Sequence, residues 1–188
     1  MPKAPAHLPF LMKTIVIGLG NPILGDDGVG WKVAEEVKKQ LTFSPTLLPA
    51  SSPLALRSAR VGEGCRRQGE RDIDVEFLCL GGISLMEHLI GYKRAILIDA
   101  IASDHEPGSV MIYKLVEMPD YSAFHTTSAH DTSLQNALKL GKAMGADLPE
   151  QVTVVGIATD RVYDFGEELS LPVAGAVSKA AQIVIELL

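Results

Sequence analysis

Three short apolar runs rich in β-branched residues constrain this chain more than any other feature: TIVIGL at 14–19, RAILIDAI at 94–101 and VTVVGIA at 152–158. A strand with one wet face alternates apolar and polar residues. These runs scarcely alternate, so each must be covered on both faces. The covering is supplied by segments of helical period. From Gly28 onward, Val29, Val33, Val37 and Leu41 recur every fourth residue with Lys32, Glu35, Glu36 and Lys39 between them, which gives an amphipathic helix. SLMEHLIGY (84–92) reads as a short helix, and SLQNALKLGKAMGA (133–146) as a longer one with Leu134, Ala137 and Leu138 toward the core. PVAGAVSKAAQIVIELL opens on Pro172, a residue suited to a first helical turn.

Two further strands are expected, IDVEFLCL at 73–80 and VMIYKL at 110–115. Pro107 and Gly108 in the turn DHEPGS stand in type II order, so the fourth strand is expected to run antiparallel to its neighbour, in a hairpin at a sheet edge. Strands alternating with helices predict a three-layer α/β/α sandwich with a twisted, mostly parallel sheet of about five strands and helices on both faces.

At 188 residues the chain is expected to be one domain, with residues 1–13 as an N-terminal extension and residues 42–72 as a loop insertion. That insertion is rich in proline, serine, glycine and arginine and holds no sustained period. A net charge of −6 and the lack of a basic stripe, despite a local group at Arg66, Arg67 and Arg71, argue against a nucleic-acid partner. No apolar run reaches membrane-spanning length, so a cytoplasmic protein with no membrane partner is expected. Two cysteines do not define a disulfide framework. Cys79, inside an apolar run, is expected in the core and Cys65 as a free thiol.

The stretch GLGNPILGDDGVG (18–30) sets two adjacent acids, Asp26 and Asp27, in a glycine-rich turn between strand and helix. A phosphate would be repelled there and a cation attracted. In open α/β sheets, sites form beyond the carboxyl ends of the strands. Asp99, flanked by AILI and AI, falls at the same rim, as does His130 at the start of a helix. An acid ahead of a helix is commonly an N-cap, and only one of the pair can occupy that place. An ionised carboxylate among apolar neighbours is costly unless paired or bound to a cation. Two carboxylates and one imidazole suit a divalent transition metal that keeps open positions for a substrate.

GLGNPILGDDGVG, LIDAI at 97–101, HDTSL at 130–134 and VVGIATD at 154–160 occur in the order seen in hydrogenase maturation proteases, and the chain resembles that family from about residue 14 to its end, the 42–72 segment apart. The resemblance implies an endopeptidase that removes the C-terminal extension of a nickel-iron hydrogenase large-subunit precursor after nickel insertion. It implies that Asp27, Asp99 and His130 contact the nickel, which the bound precursor supplies, and leaves Asp26 as a cap or supporting group. No Gly-x-Ser-x-Gly elbow or Cys-His pair at motif spacing offers a covalent nucleophile. Two alternatives stand beside this reading. IVIGLGNP also resembles the opening of peptidyl-tRNA hydrolases, but no histidine follows in the corresponding stretch. A nucleotide-binding module would need a third glycine sooner than Gly25.

Overall fold

The computed structural model describes residues 13–43, 72–118, 133–160 and 165–188. Among these described residues five strands form one sheet: β1 (Thr14–Leu19), β2 (Ile73–Leu78), β3 (Arg94–Ala102), β4 (Val110–Lys114) and β5 (Gln151–Thr159). Their order is β2-β1-β3-β5-β4, with β4 alone antiparallel. The helices are α1 (Val29–Phe43), α2 (Gly82–His88), α3 (Leu134–Ala143) and α4 (Leu171–Leu187).

Alternate residues of the central strands feed two separate cores, as the period of a strand requires. Ile15, Ile17, Ala95, Leu97 and Val154 pack with Leu85 and Leu89 of the α2 region and Leu134 and Ala137 of α3. Val16, Ile96, Ile98, Val155 and Ile157 pack with Val29, Val33 and Val37 of α1 and Ala180, Ala181 and Val184 of α4. The predicted α/β/α layering follows directly. Burying a valine side chain stabilises by roughly 1.5–3 kcal/mol, so the fully buried Val29, Val33 and Val37 hold α1 to the sheet.

The position of β4 differs from expectation. It pairs with β5, in the register Val110↔Ile157 to Lys114↔Thr153, so β5 lies between β3 and β4 and no β3–β4 hairpin exists. Burial explains the order. From Thr153 to Thr159 β5 is buried throughout, whereas β4 is only partly buried and partly exposed, which suits an edge. The type II turn itself is present: Ser109 N donates to Glu106 O at 3.0 Å and Gly108 has φ 85°.

Three smaller expectations also change. β2 stops at Leu78, and Cys79 is exposed beyond the end of an edge strand instead of buried in the core. Helix α1 runs through Thr42 and Phe43, two residues into the expected insertion, with the Thr42 hydroxyl donating to Lys38 O at 2.8 Å. Lys13 belongs to the domain: its carbonyl accepts from Lys93 N at 2.9 Å and its ammonium meets Asp74 at 3.0 Å. Residues 1–12, 44–71 and Cys65 lie outside the described residues, as does His130.

Candidate active site

The chain leaves β1 toward β2 on one side and returns to β3 on the other, so the carboxyl ends of β1 and β3 form a topological switch point, where open α/β sheets place ligands. Here β1 ends at Leu19 while β3 continues to Ala102. Their last paired residues are Gly18 and Ile98, and Asp99 is the next residue along β3. The turn that follows β1 packs against β3. Asp27 and Asp99 therefore stand at one rim of the sheet.

Asp99 is fully buried. Its place in the alternation, with Ala95, Leu97 and Ile101, directs it into the layer of α2 and α3. Ser133 caps α3 by accepting from Asn136 N at 3.3 Å. His130 precedes that cap by three residues in sequence and is not among the described residues, so its side chain has no described position.

Glycines set the closeness of the turn. A Cβ on Gly30 would overlap the carbonyl oxygens of both Leu19 and Ile98, so only glycine lets the start of α1 lie on the ends of β1 and β3. Gly20 has φ 113°, and a Cβ there would overlap the Asp27 carbonyl. The chain doubles back between them: Asn21 N donates to Asp27 Oδ2 at 2.6 Å, and Leu24 N donates to Asn21 O at 3.0 Å. Asn21 thus fixes one oxygen of a carboxylate that is 9% exposed.

The two acids have different duties. Asp26 lies in a 3-10 turn, Gly25–Gly28, and bonds to the far side of the rim. Its Oδ1 accepts from Ser170 N at 2.6 Å, and its Oδ2 accepts from the hydroxyls of Ser170 and Thr159, each at 2.8 Å. Asp26 therefore ties the opening turn to the end of β5 and the start of α4. Its oxygens accept from Ser170 and Thr159 instead of capping α1, the helix that follows it. A backbone clasp reinforces the tie, with Gly25 N donating to Gly166 O at 2.6 Å and Gly166 N to Ile23 O at 3.0 Å. The sequence alone assigns no such role to Asn21, Thr159 or Ser170: a serine two residues ahead of Pro172 and a threonine closing an apolar run are the marks the last two carry.

The sequence model of HycI, hydrogenase maturation protease, matches residues 60–187. The chain belongs to the hydrogenase maturation protease family. It is a protease of hydrogenase maturation, which decides among the three readings of its sequence. Similar proteins extend the likeness over the opening turn, which precedes the matched range. The hydrogenase expression/formation protein HupD of Rhizobium leguminosarum bv. viciae is 24% identical over 186 residues, 98% of this chain and 78% of its own. HoxM of Azotobacter vinelandii is 24% identical over 93% of this chain and 71% of its own. Among solved structures, the hydrogenase maturating endopeptidase HybD from E. coli superposes with a TM-score of 0.63 at 22% identity, over 94% of this chain and 91% of its own. The hydrogenase 2 maturation peptidase from Thaumarchaeota archaeon SCGC_AB-539-E09 gives 0.56 at 23%, over 93% and 97%. These likenesses support the α/β sandwich.

Proposed function

We propose that this protease cuts the C-terminal extension from a nickel-iron hydrogenase large-subunit precursor, and that it reads the nickel already bound in that substrate through Asp27, Asp99 and His130. One observation carries the reading: Asp99, fully buried on β3, stands one residue past the last β1–β3 pair, at the rim where the turn bearing Asp27 packs. The face into which Asp99 points is also the one covered by α3, whose cap follows His130 by three residues. Two oxygen ligands and one nitrogen leave a divalent ion free positions. Those positions belong to the precursor's own ligands and to the reacting groups.

A metal so placed beside the scissile peptide would act as a Lewis acid, by polarising the carbonyl or lowering the pKa of a water. Hydrolysis adds that water across the C–N bond, leaving a new carboxylate on the large subunit and an amine on the released extension. Asp26 positions the turn and takes no part in this chemistry. The reaction belongs in the cytoplasm, where a thiol such as Cys79 stays reduced. The test is to incubate purified protease with nickel-loaded and nickel-free precursor and follow the precursor's mass. Loss of a C-terminal peptide from the loaded form alone supports the reading, and equal cleavage of both forms contradicts it.

A further inference from the structure

A groove of about 640 Å³ begins at Pro22 and follows the outer face of α1 to Thr42. Pro22 adjoins Asn21, whose amide holds Asp27, so the groove starts beside the turn that carries Asp27. Its floor is aromatic. Trp31 and Phe77 meet as a tilted pair, 5.7 Å between ring centroids with planes inclined by 56°, and the indole is fixed by donating to Leu78 O at 3.2 Å. Its wall is basic: Lys32, Lys38 and Lys39 line it against the single acid Glu35, which pairs with Lys39 at 3.5 Å. Lys38 also lies 5.6 Å over the Phe77 ring. This concentration of positive charge occurs in a chain with a net charge of −6.

We propose that this groove receives the C-terminal extension of the precursor as an extended peptide, its apolar side chains on Trp31 and Phe77 and its acidic groups on the lysines. The proposal rests on the C-terminal cleavage stated above and names the substrate segment that lies beyond the cut bond. Whatever its composition, a C-terminal extension ends in a free carboxylate. At about 1.5 Å per helical residue, the distance from the start of α1 to Lys38 and Lys39 is about 15 Å. An extended peptide covers that in four or five residues at about 3.3 Å each. A peptide whose scissile bond sits at Asp27 therefore sets the fourth or fifth residue beyond the cut among the lysines, and its terminal carboxylate there when it ends at that length. A lysine cluster of this kind also accelerates encounter with an acidic segment, an effect that salt suppresses.

Trp31 is the one tryptophan of the chain, so its emission reports on the groove without reference to cleavage. The probe is a six-residue N-acetylated peptide alternating valine or leucine with glutamate and ending in a free carboxylate. The control replaces glutamate by lysine and amidates the end. The expected result is a saturable shift of Trp31 emission with the acidic peptide, at least about tenfold weaker with the control and weakened by salt. Lys32→Glu combined with Lys38→Glu, at two exposed positions, should weaken the acidic peptide by a similar factor and raise KM for the nickel-loaded precursor. No emission change, equal response to both peptides, or native affinity in the double variant would overturn the proposal. Failure of nickel dependence in the cleavage assay, with the peptide response intact, would instead fault the active-site reading alone.

Discussion

Carboxylates gather at both ends of this sheet, but in different company. At the amino end of the strands they meet ammonium groups near the surface: Lys13 pairs with Asp74 at 3.0 Å and Lys93 with Asp147 at 2.7 Å. Tyr92 adds a hydroxyl to Asp74 at 2.6 Å, and Lys13 lies 4.3 Å over its ring. At the carboxyl end Asp26, Asp27 and Asp99 are buried, Asp26 is held by two hydroxyls and an amide, and Asp27 accepts from an amide. The first arrangement fastens the starts of the strands near the surface. The second holds negative charge in a low-dielectric setting, which is tolerable where the carboxylates are hydrogen-bonded and useful where a cation is to be met.

The sharpest break between the two ends comes from backbone closeness. Gly30→Val should cost about 3 kcal/mol or more through overlap with the Leu19 and Ile98 carbonyls, read as a lower urea midpoint or as failure to fold. A soluble variant with the native midpoint would mean that α1 can move off the strand ends. Asp26→Ala comes next, because it strands the Ser170 and Thr159 donors on the buried side of the rim. A loss of about 2 kcal/mol is expected, lowering the melting temperature by roughly 4–8 °C for a chain of this size.

At the amino end the effects are smaller and belong to alkaline pH. Hydrogen bonding to Asp74 holds the Lys13 ammonium above the usual lysine pKa, and hydrogen bonding to Asp147 does the same for Lys93. Burial, then the Asp74 hydrogen bond, raises the Tyr92 phenol. A lysine with a raised folded pKa contributes stability below its unfolded value that is lost as pH rises through the folded one. A phenol with a raised pKa favours the neutral form in the fold, so its contribution also fades above its unfolded value. Stability should thus hold to about pH 9 and decline above about pH 10. Lys13→Met should make that decline shallower while shifting the neutral-pH midpoint less than Asp26→Ala does. A pH-independent midpoint up to pH 11 in the native protein would remove the ion pairs from the account.

How much of this was legible in the sequence depends on the range of the forces involved. Unbroken apolar runs reveal double-sided burial within six to nine residues, so the layers and the sheet class could be read from Ile15, Ile96 or Val155 and their neighbours. Asp99 stood out because its setting was apolar. The partner of β4 could not be read, since the competition between β3 and β5 for one edge is decided by burial across the whole sheet. Cys79 misled because an apolar run continued past the last paired residue of an edge strand. Asp26 looked like a local cap, and its partners lie 133 and 144 residues away, where no periodicity connects them.

In the proposed function adjacent acids divide the labour, Asp26 holding the rim and Asp27 meeting the substrate's metal. Single-turnover cleavage of nickel-loaded precursor by Asp27→Asn and by Asp26→Ala, each with its melting curve, tests it most directly. Asp27→Asn keeps the shape of the side chain and removes its charge. It should melt within a few degrees of the native protein and cleave at least about 100-fold more slowly, while Asp26→Ala melts early and still cleaves measurably. A folded Asp27→Asn variant cleaving at the native rate, beside a folded Asp26→Ala variant that does not cleave, would contradict the account.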